Sequence, residues 1–171
     1  MNTSFLLDTI VAIVRGDAPA WPDRSGPEAG PALLDEARRH GLHLLVARRL
    51  REPAFSSWPR EVRADFDREL RNAVVVEEAR RGETVRCLDG LARAGVSGLL
   101  FKGTPLAYTH YPAPWLRPRV DTDLLVPEAE RQAAARTLEA LGYARTPLVD
   151  GPLMTPERAR LGARLRRRGA R

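Results

Sequence analysis

The predicted fold class is α+β, with a helical N-terminal region followed by a small α/β unit. Apolar residues recur at helical spacing through residues 1–94, and from residue 95 short apolar runs alternate with helix-like segments. Residues 150–171 show neither pattern and carry a dense run of arginines, which is typical of a disordered tail. These three textures predict domains at residues 1–94, 95–149 and 150–171.

Four helices are predicted in the N-terminal region, and each is bounded by helix-breaking residues. They cover residues 3–15, 31–40, 42–50 and 59–94. The first carries one apolar stripe, as a helix packed on a core does, and a loop rich in Pro and Gly separates it from the second. Gly95 is suited to end the fourth helix, because glycine readily adopts the left-handed conformation found after helices.

Strands and helices are predicted to alternate in the α/β unit. The strands are residues 97–101, 120–126 and a short run from Tyr143, and the helices are residues 104–111 and 127–141. Strands that alternate with helices indicate a layer of sheet covered by helix.

The net charge of +6 is concentrated at the C-terminus. Residues 155–171 contain seven arginines and one glutamate, and the 21 basic and 21 acidic side chains of the rest of the chain cancel. No aromatic residue interleaves the basic run, although single-stranded nucleic acids are commonly held by aromatic stacking. The pattern therefore argues against nucleic acid as the main partner, with phosphate neutralisation by the tail as the alternative.

Cysteine content and hydropathy predict a cytoplasmic protein without a membrane partner. The single cysteine, Cys87, excludes an internal disulfide and suits a reducing compartment. No apolar run is as long as a transmembrane helix. The N-terminal segment has no basic residue before its apolar run, and Asp8 interrupts that run, so no signal peptide is expected.

Two carboxylates, Asp121 and Asp123, are the strongest candidates for chemistry. They lie two residues apart in the predicted strand 120–126, and residues i and i+2 of a strand point to the same face. Like charges at this spacing repel unless a cation lies between them. Oxygen ligands without nearby His or Cys suit Mg²⁺, with Mn²⁺ as a substitute. The alternative is a solvated strand end.

An ordered set of residues around this pair resembles a known family. In chain order the features are Lys102-Gly103 after a strand, Tyr111, Arg117-Pro118, and Asp121-Thr122-Asp123-Leu124-Leu125-Val126. They resemble an uncharacterised bacterial branch of the DNA polymerase β-like nucleotidyltransferase superfamily, and the similarity covers roughly residues 31–143. The resemblance implies that the α/β unit is a partial polymerase β-like nucleotidyltransferase core.

The resemblance also implies an activity. Members of the superfamily transfer a nucleoside monophosphate from a nucleoside triphosphate, here first ATP, to an acceptor with Mg²⁺. Asp121 and Asp123 would be the catalytic metal ligands. Gly103 and Thr104 would contact the triphosphate through backbone N–H groups and a hydroxyl, while Lys102 and Arg117 would neutralise its charge. The acceptor, a small molecule or a protein, is not indicated. For Lys102, the only lysine in the chain, an ordinary surface position is the alternative.

One expected feature is missing from the sequence pattern. The resemblance implies a third carboxylate on a later strand, but Asp150 is the only carboxylate between Tyr143 and Glu157, and it lies in a Val-Asp-Gly-Pro turn. The resemblance therefore implies that the chain is a truncated or frameshifted member of the family, or a minimal one. Two alternatives therefore stay open. The protein is either an active nucleotidyltransferase or a catalytically inactive binding or regulatory module of the same fold.

Overall fold

The computed structural model describes residues 3–22, 26–145 and 165–167. Within these ranges the chain is rich in helix and contains four short strands, so the predicted α+β class is confirmed. The helices are α1 (Thr3–Arg15), α2 (Ala29–Arg39), α3 (His43–Arg49), α4 (Arg60–Arg93), α5 (Gly103–Thr109) and α6 (Arg131–Ala140). The strands are β1 (Leu99–Phe101), β2 (Asp123–Leu125), β3 (Tyr143–Arg145) and β4 (Leu165–Arg167).

Every predicted helix exists, and the ends of all but the last lie within two residues of the prediction. The helix predicted at 104–111 begins one residue earlier and ends at Thr109. The helix predicted at 127–141 is divided into a 3₁₀ turn at Glu128–Glu130 and α6. Short 3₁₀ turns are frequent at helix N-termini, and Pro127, which was expected to start this helix, precedes that turn in an extended conformation.

The strand predicted at residues 120–126 is wrong in its extent. Only Asp123–Leu125 forms β2, which pairs with β1. The physical reason is the length of the partner, because β1 offers three residues before the chain turns at Lys102. Asp121 therefore precedes the strand, and the shared-face argument for the two carboxylates does not apply to it.

The chain divides into two compact units, and the division falls within α4. The first unit is Met1–Arg81 with Lys102–Asp123, and the second is Gly82–Phe101 with Leu124–Arg171. These units are defined by contacts in the structure, whereas the predicted domains at 1–94, 95–149 and 150–171 are defined by changes in the sequence pattern. The domain boundaries stay a prediction.

The first unit has a core built from α1, α2, α3 and the first half of α4. Its buried side chains include Ile10, Leu33, Val46, Phe55, Phe66 and Leu116. Leu116 connects this core to the candidate site. It is 1% exposed and precedes the acid pair, Asp121 and Asp123, in the chain. Burying such a side chain contributes about 2 kcal/mol, so the chain leading to the pair is fixed to the core at one point.

The second unit has a smaller core around the second half of α4 and α6. Its buried members are Cys87, Leu91, Val96, Ala134 and Leu138. The Cys87 thiol donates to the Tyr143 hydroxyl at 3.1 Å, and burial raises the pKa of this thiol. Cys87 is therefore held as a protonated, structural side chain rather than a nucleophile.

β3 and β4 form an antiparallel pair in the second unit, with Tyr143 opposite Arg167 and Arg145 opposite Leu165. β4 belongs to the predicted disordered tail, and the strand differs from that prediction because pairing with β3 gives its backbone groups hydrogen-bond partners. The other residues of the tail, and Asp150, lie outside the described residues. In the part of the chain that the structure describes, no helix combines the length and apolar character that crossing a membrane requires.

Candidate nucleotide and metal site

The candidate site begins at a sharp turn between β1 and α5, and Lys102 forms that turn. Its backbone has φ 57° and ψ −113°, and among the described residues it is the only non-glycine residue with positive φ. Such a conformation costs about 1–3 kcal/mol for a residue with a side chain, and it persists only where the surroundings impose it. Conformational strain of this kind is concentrated at functional sites in proteins.

Glycine is the residue expected at a turn of this kind, but Gly103 does not form it. It is the first residue of α5, and it is not among the glycines with positive φ. A Cβ placed on Gly103 would meet Arg119 Cδ at 3.7 Å and Arg117 Nη2 at 4.0 Å, which are ordinary contacts. The expectation of a glycine at the bend is therefore wrong, because the positive φ falls on the preceding residue, Lys102.

Thr104 is more deeply buried than a surface phosphate ligand would be. Its residue is 1% exposed, and its Oγ1 is buried without a hydrogen-bond partner among the described residues. An unpaired buried hydroxyl costs about 1–3 kcal/mol. A phosphate oxygen that reached this group would remove that cost, which fits the predicted contact without testing it.

The structure brings Lys102 and Asp123 together. Lys102 Nζ lies 3.3 Å from Asp123 Oδ1, and the side chains are 63% and 31% exposed. The ammonium group thus stands beside a carboxylate that was predicted to hold a metal. Asp121 lies two residues earlier and is exposed, and its Cα can be no more than about 7 Å from that of Asp123.

Arg117 lies against the start of α5. Its Nε donates to the Gly103 carbonyl at 3.3 Å, and its guanidinium lies over the Tyr111 ring at 5.6 Å from the centroid. Both contacts fix the direction of the side chain. The structure therefore groups Arg117 with Gly103, and separately groups Lys102 with Asp123.

A buried charged cluster, which no sequence pattern reveals, lies next to these residues. Arg119 Nη2 donates to Glu77 Oε1 at 2.6 Å, and the two side chains are only 4% and 5% exposed. The Tyr108 hydroxyl donates to the same oxygen at 2.8 Å. Burial and this hydrogen bond raise the pKa of the Tyr108 phenol, so it stays a donor. Glu77 and Arg119 are 42 residues apart in the chain, and no local pattern relates them.

The two carboxylates fit Mg²⁺ by chemical type rather than as a complete ligand set. Among the described residues, no group of three or more His, Cys, Asp or Glu could hold a metal ion. Mg²⁺ is commonly held by one or two carboxylates, with phosphate oxygens and water completing its shell. Asp121 and Asp123 supply that number of carboxylates.

A carboxylate that faces a cation at a strand-to-helix turn, with arginines close by, suits the nucleotidyltransferase class of proteins. A family model described as uncharacterised nucleotidyltransferase matches residues 28–161. Because this range covers most of the chain, the protein belongs to that family of nucleotidyltransferases. No curated protein and no solved structure matches the chain.

The strain at Lys102 leads to a stability prediction. Lys102→Gly should be more stable than Lys102→Gln by about 1 kcal/mol, because both remove the ammonium group but only glycine adopts φ 57° without strain. Urea unfolding of both variants measures the difference. If the glutamine variant proves equally or more stable, the backbone at this turn is not strained.

Proposed function

We propose that the protein transfers a nucleoside monophosphate from a nucleoside triphosphate, first of all ATP, to an acceptor hydroxyl with the help of Mg²⁺. In this reaction the acceptor oxygen forms a bond to the α-phosphorus, the bond from that phosphorus to the bridging oxygen breaks, and pyrophosphate leaves. The acceptor proton passes to solvent. The acceptor is a small molecule or a protein, and the single cysteine fits a cytoplasmic location.

The observation that carries the proposal is the Lys102–Asp123 contact of 3.3 Å, within the range that matches the family. A bound Mg²⁺ would supply charge neutralisation on the phosphates, and Asp121 and Asp123 would hold it. Phosphoryl chemistry of this kind depends mainly on positioning and electrostatic stabilisation, and this is what the side chains at the turn offer.

The remaining residues have roles in binding the triphosphate. Lys102 would contribute a point charge, whereas Arg117 would contribute a planar donor whose direction is fixed by the Gly103 carbonyl and Tyr111. The Thr104 hydroxyl has no partner among the described residues and would donate to a phosphate oxygen. The backbone N–H group of Gly103, a residue without a side chain, would contact the triphosphate.

Isothermal titration with Mg²⁺–ATP tests the proposal. The wild-type protein should bind, and the variant carrying both Asp121→Ala and Asp123→Ala should show no measurable binding, because the carboxylates that would hold the metal are gone. The matched control carries Glu78→Ala and Glu128→Ala, which remove two carboxylates that are 76% and 79% exposed. If the wild type does not bind, or if the two double variants bind alike, the proposal is wrong.

A second candidate function is a catalytically inactive nucleotide-binding or regulatory module. The number of carboxylates favours it, because Asp121 and Asp123 are only two and the described residues contain no cluster of three metal-ligating side chains. Incubation with ATP labelled at the α-phosphate distinguishes the two functions. Transfer of the label to the protein or to an added acceptor excludes the inactive module, and binding without transfer favours it.

A further inference from the structure

The cluster of Glu77, Arg119 and Tyr108 is directly connected to the loop that carries the acid pair. Besides the 2.6 Å ion pair with Glu77, Arg119 accepts a hydrogen bond on its own carbonyl from Arg80 Nη2 at 2.8 Å. Arg80 Nη1 in turn lies 3.5 Å from Glu77 Oε2. Both the side chain and the main chain of Arg119 are therefore fastened to residues of α4.

These contacts of Arg119 with α4 lie close to Asp121 along the chain. One residue, Val120, separates Arg119 from Asp121, and one more, Thr122, separates Asp121 from Asp123, which begins β2 and lies 3.3 Å from Lys102 Nζ. Asp121 therefore lies in the middle of a short segment, residues 119–123. Contacts with α4 fix one end of this segment, and the start of β2 fixes the other. An extended chain advances at most about 3.6 Å per residue, so the two ends restrict where this carboxylate can lie.

A purely stabilising role explains the cluster poorly. Glu77 and Arg119 are almost fully buried, and Arg119 Nε and Nη1 have no hydrogen-bond partner among the described residues. A buried ion pair is seldom better for stability than apolar side chains of the same size, because removing both charges from water is costly. The guanidinium does lie 5.8 Å from the centroid of the Tyr108 ring, which fixes its orientation.

We propose that Glu77 is a positioning residue, which acts through Arg119 to hold Asp121 where it can share a cation with Asp123. This inference rests on the proposed function, since it assigns the cation to the acid pair. Glu77 itself touches neither the cation nor the triphosphate. Its effect on cation binding must therefore depend on the presence of the Asp121 carboxylate.

The test is a double-mutant cycle on the affinity for Mn²⁺ alone, measured by the electron paramagnetic resonance signal of free Mn²⁺. Glu77→Gln should weaken binding by about 10-fold in the wild-type background, the size usual for residues that orient metal ligands. In the Asp121→Asn background it should weaken binding by less than about twofold, which is the ordinary error of additivity. A general loosening of the fold would give equal losses in both backgrounds.

Two further variants separate position from charge and from stability. Tyr108→Phe removes one hydrogen bond to Glu77 without changing any charge, and it should weaken Mn²⁺ binding by about threefold. Glu36→Gln is the matched control, because Glu36 and Glu77 are both 4% exposed and Glu36 forms its ion pair with Arg39. It should leave Mn²⁺ affinity unchanged. Circular dichroism confirms that each variant is folded.

The outcomes distinguish this inference from the proposed function. Equal effects of Glu77→Gln and Glu36→Gln, or equal losses in both backgrounds of the cycle, overturn the positioning role and leave the metal role of the acid pair standing. If wild-type protein does not bind Mn²⁺, or if Asp121→Asn and Asp123→Asn leave binding unchanged, the metal role is wrong and the positioning role is overturned with it.

Discussion

Asp123→Asn is expected to weaken the binding of Mn²⁺–ATP by about 100-fold, equivalent to about 2.7 kcal/mol, and Asp121→Asn by about 10-fold. The two carboxylates differ because Asp123 is partly buried and begins β2, whereas Asp121 is exposed and precedes the strand. Solvent screens the attraction of an exposed carboxylate for a cation more effectively than that of a partly buried one.

Isothermal titration at constant ionic strength measures both affinities. Asn keeps the shape of each side chain and removes only its charge, so a loss of binding reports electrostatics rather than packing. Glu128→Gln provides the control, because Glu128 is 79% exposed and forms its ion pair with Arg131. Equal losses for the two aspartates would contradict the difference in burial, and no loss for Asp123→Asn would contradict its role as a metal ligand.

The helices could be predicted from the sequence because their signal is local. In α4, Val62, Phe66 and Leu70 recur every four residues, and all three are buried in the structure. One turn of sequence is enough to define such a face. The predicted and observed ends, residues 59–94 and Arg60–Arg93, differ only by single residues, because helix-breaking residues mark both ends.

The strand that carries the acid pair could not be predicted to the residue, because a strand is defined by its partner. Seven residues from Val120 to Val126 have a suitable composition, but β1 pairs with only three of them. Val120 is 93% exposed, although its apolar character suggests a buried strand. The extent of β2 is set by where β1 ends, and that information lies about twenty residues earlier in the chain.

The turn at Lys102 shows a different limit of sequence reasoning. Glycine is the expected residue wherever φ is positive, and Gly103 is adjacent, so the sequence favours the wrong residue. The structure assigns the strained backbone to the only lysine of the chain. The grouping of Lys102 with Asp123 agrees with the site implied by the family resemblance, while the roles of both residues stay a prediction.

The Glu77–Arg119 pair could not be found in the sequence, because both residues look like ordinary members of a charged chain. Glu77 follows three valines on α4 and precedes another glutamate, and Arg119 is one of 28 basic residues. Of the two arginines that closely precede Asp121, the family resemblance points to Arg117 and not to Arg119. A contact across 42 residues becomes visible only when burial is known.

Arg119→Met is expected to lower the free energy of unfolding by about 3 kcal/mol, because it removes the closer of two cations from the buried Glu77 carboxylate and leaves only Arg80, at 3.5 Å. Adding Glu77→Leu should recover most of this loss, since the pair is then replaced by apolar side chains of similar size. Urea unfolding measures both changes. Arg38→Met is the control, because Arg38 is 45% exposed beside Glu69, and exposed pairs contribute less than about 1 kcal/mol.

The doubly substituted protein also separates stability from position. If Glu77→Leu with Arg119→Met is nearly as stable as the wild type and yet binds Mn²⁺ more weakly, the ionic pair is retained because it fixes the loop that carries Asp121. If the double variant is as unstable as Arg119→Met alone, the cost lies in the packing of Arg119 beside Tyr108 rather than in the uncompensated charge. In the doubly substituted protein we therefore expect a stability close to that of the wild type together with a weaker affinity for Mn²⁺.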